Sequence, residues 1–105
     1  MGKGAVVMES KEALERMMGR ESPLVLYFTS EGCGVCQAVL PRLLEIAGEV
    51  PVAKIGVDSL REVAGQHLVF AVPTLLVWHE GKEILRESRF IDFNRVERVL
   101  YLLRP

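Results

Sequence analysis

Two cysteines three positions apart, Cys33 and Cys36, are the residues of this sequence whose type and spacing most clearly allow chemistry. A thiolate can attack a disulfide, and a thiol one helical turn later lies close enough to release the product by a second attack. The loop between the two cysteines is too short to constrain the unfolded chain much, so stability is a weak explanation for the pair. The spacing therefore predicts a redox-active pair or half of a metal site.

The pair lies at the predicted start of a helix, because apolar residues recur at helical spacing after it until Gly48. Unpaired N–H groups and the helix dipole at such an end favour an anion by about 0.3–1 kcal/mol. Residues 30–37 include no cation, and Glu31 opposes a second negative charge. We therefore expect a modest lowering of the Cys33 pKa, attack by Cys33 and release by Cys36, in a reductant or isomerase.

A zinc site is the main alternative for the cysteines, since Cys-x-x-Cys is also half of a four-ligand set. His67 and His79 are the only histidines, and they lack the paired spacing of a zinc motif. We therefore predict no metal and ordinary surface or turn positions for both histidines.

Composition and charge exclude other classes of function. The 105 residues have a net charge of −1, half of them are hydrophobic, and no block of like charges suggests a nucleic-acid partner. The apolar runs at residues 5–8 and 68–78 are too short for a secretory leader or a membrane span. We expect a single domain over residues 1–105, no membrane contact and a cytoplasmic location.

The hydrophobic pattern predicts four helices alternating with strands. The first helix starts at the cap Ser10 and stops at Gly19, and the second contains Pro41, which we expect to kink it. The third runs over residues 59–66 behind a capping box of Ser59 and Glu62, and Asp92 caps the fourth. Strands are predicted at residues 24–28, 52–57, 74–78 and 82–89, the last two antiparallel, with a short first strand at residues 5–8.

From about residue 23 to residue 90 the sequence resembles the thioredoxin family. A buried strand runs into the Cys-Gly-Val-Cys helix, Pro41 follows the second cysteine by five positions, and residues 53–58 form a strand with a lysine and a terminal aspartate. Val72-Pro73-Thr74 is similar to the family's cis-proline segment. The resemblance implies an α/β thioredoxin fold, with a central mixed sheet of four to five strands flanked by about four helices.

The resemblance also implies where clients bind and protons move. Pro73 would be cis beside the cysteines and the Val72 backbone would pair with an extended client, in a groove formed by Gly32, Gly34, Val35, Val72 and Pro73. Most thioredoxins have Trp at the position of Gly32, Pro at that of Val35 and a buried Asp at that of Tyr27. Lys54 and Tyr27 are the candidate proton-exchange groups, although a phenol is a poor base at neutral pH and a solvated Lys54 is the simpler interpretation.

These features predict an enzyme that reduces protein disulfides without a bound cofactor. The resemblance implies disulfide-containing client proteins and a thioredoxin-reductase-like electron donor as partners, and we expect a monomer. The alternative is a non-catalytic or redox-sensing thioredoxin-fold module that binds proteins.

Overall fold

The structure is a computed structural model that describes residues 4–104. Its strands are β1 (Val6–Val7), β2 (Leu24–Thr29), β3 (Val52–Gly56), β4 (Thr74–His79) and β5 (Lys82–Ser88). Its helices are α1 (Lys11–Arg20), α2 (Gly34–Ala47), α3 (Arg61–Gln66) and α4 (Phe93–Leu103). The expected domain of residues 1–105 includes residues 1–3 and 105, which lie outside the described residues.

The strands form one mixed sheet in the order β1-β3-β2-β4-β5. β3 pairs in parallel with β1 and β2, whereas β4 is antiparallel to both β2 and β5. All six residues of β2 are buried, as expected of a central strand covered on both faces. The predicted mixed sheet with four helices is thereby confirmed.

Side chains alternate between the two faces of the sheet and build two cores. Leu26 and Phe28 of β2 pack with residues of α1 and α3 on one face. Val25 and Tyr27 of the same strand pack with α2 and α4 on the other face, where Cys36 is also buried. The second cysteine is therefore part of a hydrophobic core.

The helix caps agree with the sequence at two places and differ at two. Ser10 and Asp92 accept backbone N–H groups at the starts of α1 and α4, as predicted. The stop at Gly19 is wrong because α1 continues through it to Arg20, since glycine permits a helix end without requiring one. The capping box of Ser59 and Glu62 is also wrong: α3 begins after Leu60 without a side-chain cap, and Glu62 instead accepts a bond from Lys11.

His67 and His79 differ in their surroundings. His67 lies in a turn after α3, as predicted, and is half-buried, with its ring centroid 5.6 Å from that of Trp78 and 6.0 Å from that of Phe28. Burial lowers its pKa. His79 bonds to Ser22 near the β4–β5 turn. In residues 4–104, no group of three or more His, Cys, Asp or Glu side chains is arranged to hold a metal ion.

Candidate active site at the Cys33–Cys36 disulfide

Cys33 and Cys36 are joined by a disulfide at the start of α2, with their Cα atoms 5.2 Å apart. Cys33 is the N-cap residue, and its Sγ accepts a hydrogen bond from the Cys36 N–H at 3.1 Å. The sulfur therefore occupies the place that a serine or aspartate oxygen usually takes at a helix start. In the reduced protein the same N–H can donate to a Cys33 thiolate, and hydrogen bonds to charged acceptors are the stronger ones.

The two sulfurs differ in their access to solvent. Cys33 is only partly buried, whereas Cys36 is 2% exposed and packs in the core between β2, α2 and α4. An incoming disulfide can therefore reach Cys33 and cannot reach Cys36 without opening that core.

Tyr27 lies beneath the cysteine pair. Its side chain is fully buried, and its hydroxyl donates to the backbone carbonyl of Cys36 at 2.6 Å. Burial raises the pKa of Tyr27 to about 12. The phenol thus keeps its proton at neutral pH and directs it to a carbonyl oxygen, which favours a structural role over proton exchange for this residue.

Lys54 lies opposite Tyr27 in the register of β2 and β3. It is half-buried and shares with Cys36 and Tyr27 a cavity of about 280 Å³ along α2, which Thr29, Gln37, Leu40, Pro41 and Leu44 also line. Lys54 is therefore an amine that lines the same cavity as the buried cysteine, and its proton exchange remains a prediction.

A groove of about 420 Å³ lies on the solvent side of the disulfide. It brings together five of the predicted site residues with two others, and the full lining is Cys33, Gly34, Val35, Val72, Pro73, Arg89 and Phe90. Val35 is 57% exposed at this groove. Gly32 lines a separate depression together with Glu31, Lys54 and Asp58.

The Val72–Pro73 segment forms one wall of the groove, and its peptide bond is cis. Within residues 4–104, neither the N–H nor the C=O of Val72 has a hydrogen-bond partner. The Pro73 carbonyl accepts the Arg89 N–H at 2.7 Å. Val72 therefore offers free backbone groups next to Cys33.

Comparison with known proteins adds a decisive observation, since the Thioredoxin family model matches residues 5–97. The chain belongs to the thioredoxin family. It is similar to the thioredoxin-like protein YdfQ of Bacillus subtilis, with 38% identity over 96 residues, or 89% of this chain and 86% of that protein. It is also similar to thioredoxin H7 of Arabidopsis thaliana, with 37% identity over 79 residues, which cover 72% of this chain and 61% of that protein.

Solved thioredoxin structures have the same fold. A mutant thioredoxin from Halobacterium salinarum superposes with a TM-score of 0.86 over 95% of this chain and 90% of its own, at 22% identity. Thioredoxin O2 of Arabidopsis thaliana, in its oxidised state, gives a TM-score of 0.80 over 95% and 94% of the two chains, at 28% identity. Family membership together with the Cys33–Cys36 pair makes this thioredoxin-family protein a thiol–disulfide oxidoreductase.

Arg89 and Phe90 are the two groove residues that sequence reasoning missed. They follow β5, and Phe90 is 90% exposed while Arg89 adopts a left-handed backbone with φ +66°. No local signal marks them, because the pairing of β5 with β4 is what places them beside Pro73. A cation therefore lines the same groove as Cys33, although none lies near it in the sequence.

Gly32 also has a left-handed backbone, with φ +75°. A Cβ at this position would meet no atom within 4 Å, so the backbone conformation is what favours glycine here. The resemblance to thioredoxins leads one to expect a tryptophan at this position. A tryptophan here would have to adopt the left-handed backbone conformation, which residues with a Cβ disfavour.

No helix in the described part of the chain is both long and apolar enough to cross a membrane.

Proposed function

We propose that this protein reduces protein disulfides, with Cys33 as the attacking and Cys36 as the resolving thiol. The observation that carries the proposal is the unequal access to the two sulfurs at a helix N-terminus, where Cys33 borders a groove and Cys36 is buried. The Cys36 N–H is already directed at Cys33 Sγ, where it can stabilise the attacking thiolate.

The cycle consists of two exchanges. The Cys33 thiolate attacks one sulfur of the client disulfide, which forms a mixed disulfide and releases the first client thiolate. Cys36 then loses its proton and attacks Cys33 Sγ, which breaks the mixed disulfide, releases the second client thiolate and forms the Cys33–Cys36 disulfide. The client gains two electrons, this protein loses two, and protons from solvent neutralise the thiolates.

The client binds as an extended segment along Val72. The unpaired N–H and C=O of Val72 support this proposal, because they can pair with a client backbone as a further strand would. Gly34, Val35 and Pro73 line the same groove and would contact the residues next to the client disulfide. Gly32 precedes Cys33 and lines a separate depression, where it would contact a client next to the disulfide.

A thioredoxin-reductase-like donor would restore the dithiol, with no cofactor bound to this chain. Lys54 would exchange protons with Cys36, supported by the cavity that the two residues share. We further propose that the protein works as a monomer in the cytoplasm, where a glutathione pool favours reductants of this kind.

Insulin reduction by dithiothreitol, with and without this protein, tests the proposal. The wild-type protein should accelerate the precipitation of reduced insulin, and Cys33→Ser should abolish the acceleration. Thermal unfolding of both proteins verifies that the variant is folded. Equal acceleration by wild type and Cys33→Ser would overturn the proposal, and stable complexes with clients that neither cysteine substitution affects would favour a binding module instead.

A further inference from the structure

Arg89 and Phe90 line the groove together with Cys33 and the first residues of α2. Phe90 and Val35 are both largely exposed, so the groove combines an apolar surface with a cation. The Arg89 backbone N–H is bonded to the Pro73 carbonyl, which links this residue directly to the segment that carries Val72. The cation is thus attached to the part of the groove where a client backbone would lie.

The charge of Arg89 is available to a ligand. Among residues 4–104 no carboxylate lies within salt-bridge distance of its guanidinium. The two acidic residues nearest in sequence are engaged elsewhere. Glu87 is buried, accepts the Asp92 N–H at 2.9 Å and lies 3.7 Å from Arg95, while Asp92 accepts the Arg95 N–H as the cap of α4.

The surface next to Gly32, which precedes Cys33, has a different charge. The depression there is lined by Glu31 and Asp58 together with Lys54, and both acidic side chains belong to exposed residues. An acidic group on a client is therefore attracted towards Arg89 and repelled by Glu31 and Asp58. The two surfaces together favour an acidic client segment in the groove that Arg89 lines.

We propose that Arg89 is a specificity-determining residue, which makes this protein reduce disulfides flanked by acidic side chains faster than those flanked by basic ones. The proposal rests on the proposed function, since it names the clients of that reaction. Arg89 contacts the residue next to the attacked client cysteine and takes no part in the exchange of sulfurs. Phe90 covers the apolar neighbours of the same client segment.

Three synthetic peptides test the proposal. Each contains the same internal disulfide, and a single residue next to the cysteine is Glu, Gln or Lys. Single-turnover rate constants for their reduction by the reduced protein are measured at low salt and at 0.5 M NaCl. For wild type we expect the Glu peptide to react about 3- to 10-fold faster than the Lys peptide at low salt, and the ratio to approach 1 at high salt, since partly exposed charges interact weakly and are screened.

Variants at residue 89 separate charge from conformation. Arg89→Gln should bring the Glu-to-Lys ratio close to 1, while Arg89→Lys should keep most of it. Arg89→Gly removes the charge in a residue that adopts positive φ readily, so it should match Arg89→Gln and show that the backbone is not responsible. Lys82→Gln removes the same charge about 20 Å away along β5 and should leave the ratio unchanged.

The outcomes distinguish the two proposals. Reduction of the Gln peptide by wild type but not by Cys33→Ser supports the proposed function whatever the charge preference. A wild-type Glu-to-Lys ratio near 1, or a ratio that Arg89→Gln leaves unchanged, would overturn the role of Arg89 alone. If wild type reduces none of the three peptides, both proposals fail.

Discussion

The surroundings of Cys33 differ from those of Cys36, although one bond joins the two sulfurs. Cys33 borders an open groove with exposed apolar side chains and a cation without a partner among the described residues. Cys36 lies in the core, where the buried Tyr27 hydroxyl bonds to its carbonyl. The reason for this asymmetry is geometric: the first turn of α2 carries Cys33 beyond the sheet and directs Cys36 back onto it.

This asymmetry separates two tasks. Residues on the Cys33 side can change to suit a client with little effect on the core, because the groove is open to solvent. Residues on the Cys36 side determine how firmly the start of α2 is attached to β2. We therefore expect substitutions on the first side to act mainly on rates and those on the second side mainly on stability.

The largest expected effect concerns covalent capture of clients. Cys36→Ser should accumulate a mixed disulfide between Cys33 and a client, because the resolving thiol is absent, whereas Cys33→Ser should accumulate none, because Cys36 is buried. Non-reducing electrophoresis and mass spectrometry measure the adducts. Equal amounts of adduct on both variants would show that access to the two sulfurs does not differ.

Arg86 links β5 to the turn that follows α3. Its guanidinium donates to the carbonyls of His67 and Leu68 and, at 3.0 and 2.9 Å, to the carboxylate of Glu83. Arg86→Ala should lower the free energy of unfolding by about 1–2 kcal/mol, as the loss of partly buried hydrogen bonds does. Urea denaturation measures it, with Arg20→Ala as the control, since Arg20 is exposed on α1 and should cost below about 0.5 kcal/mol.

The stabilisation that Arg86 gives through Glu83 should be lost at low pH. The hydrogen bond from Arg86 lowers the pKa of Glu83 below its ordinary value of 4.5. A carboxyl group whose pKa is lower in the folded state stabilises the fold above the unfolded pKa, and this contribution is lost as the pH falls through the folded value. The difference between wild type and Arg86→Ala should therefore shrink below about pH 4.5; a constant difference would contradict the ion pair.

Tyr27→Phe tests the buried side. It keeps the ring in the core but removes the bond to the Cys36 carbonyl, which should cost about 1–2 kcal/mol of unfolding free energy. Tyr101→Phe is the matched control, because Tyr101 is 70% exposed and the same change there should have no measurable effect. Thermal and urea unfolding of both variants measure the difference.

The difference in unfolding free energy between wild type and Tyr27→Phe should depend on pH at high pH. Burial raises the pKa of Tyr27 to about 12 from an ordinary 10.0, so the folded state holds this proton more tightly than the unfolded state does. That contribution is complete below pH 10.0 and is lost as the pH rises towards 12. The advantage of wild type over Tyr27→Phe should therefore decrease across this interval, and an advantage that increases would contradict the burial of the phenol.

The smallest expected effect lies in the two glycines that flank Cys33. Both have open space around the Cβ position, but only Gly32 has a positive φ, of +75°. Gly32→Ala should cost about 1 kcal/mol of unfolding free energy for the left-handed backbone, while Gly34→Ala, in the first turn of α2, should be neutral or slightly stabilising. Equal effects in urea denaturation would show that the backbone at residue 32 is free to change.

Much of the fold could be predicted because its signals are local. The apolar run of β2, the caps Ser10 and Asp92 and the helical spacing after Cys36 involve residues within a few positions of each other. The two wrong helix ends, at Gly19 and at the Ser59–Glu62 pair, occur where the local preference is weak. Glu62, for example, bonds to Lys11 of another helix instead of closing a cap.

The sequence by itself determined that two cysteines open a helix after a buried strand, because spacing and periodicity suffice for that. Only the tertiary structure decided what surrounds each sulfur. β4 lies beside β2 and carries β5 with it, so the end of β5 places Arg89 against Pro73, and β2 places the Tyr27 hydroxyl beneath Cys36. Strand pairing between distant segments determines these neighbours, and the residues near the cysteines in the sequence do not indicate which strands pair.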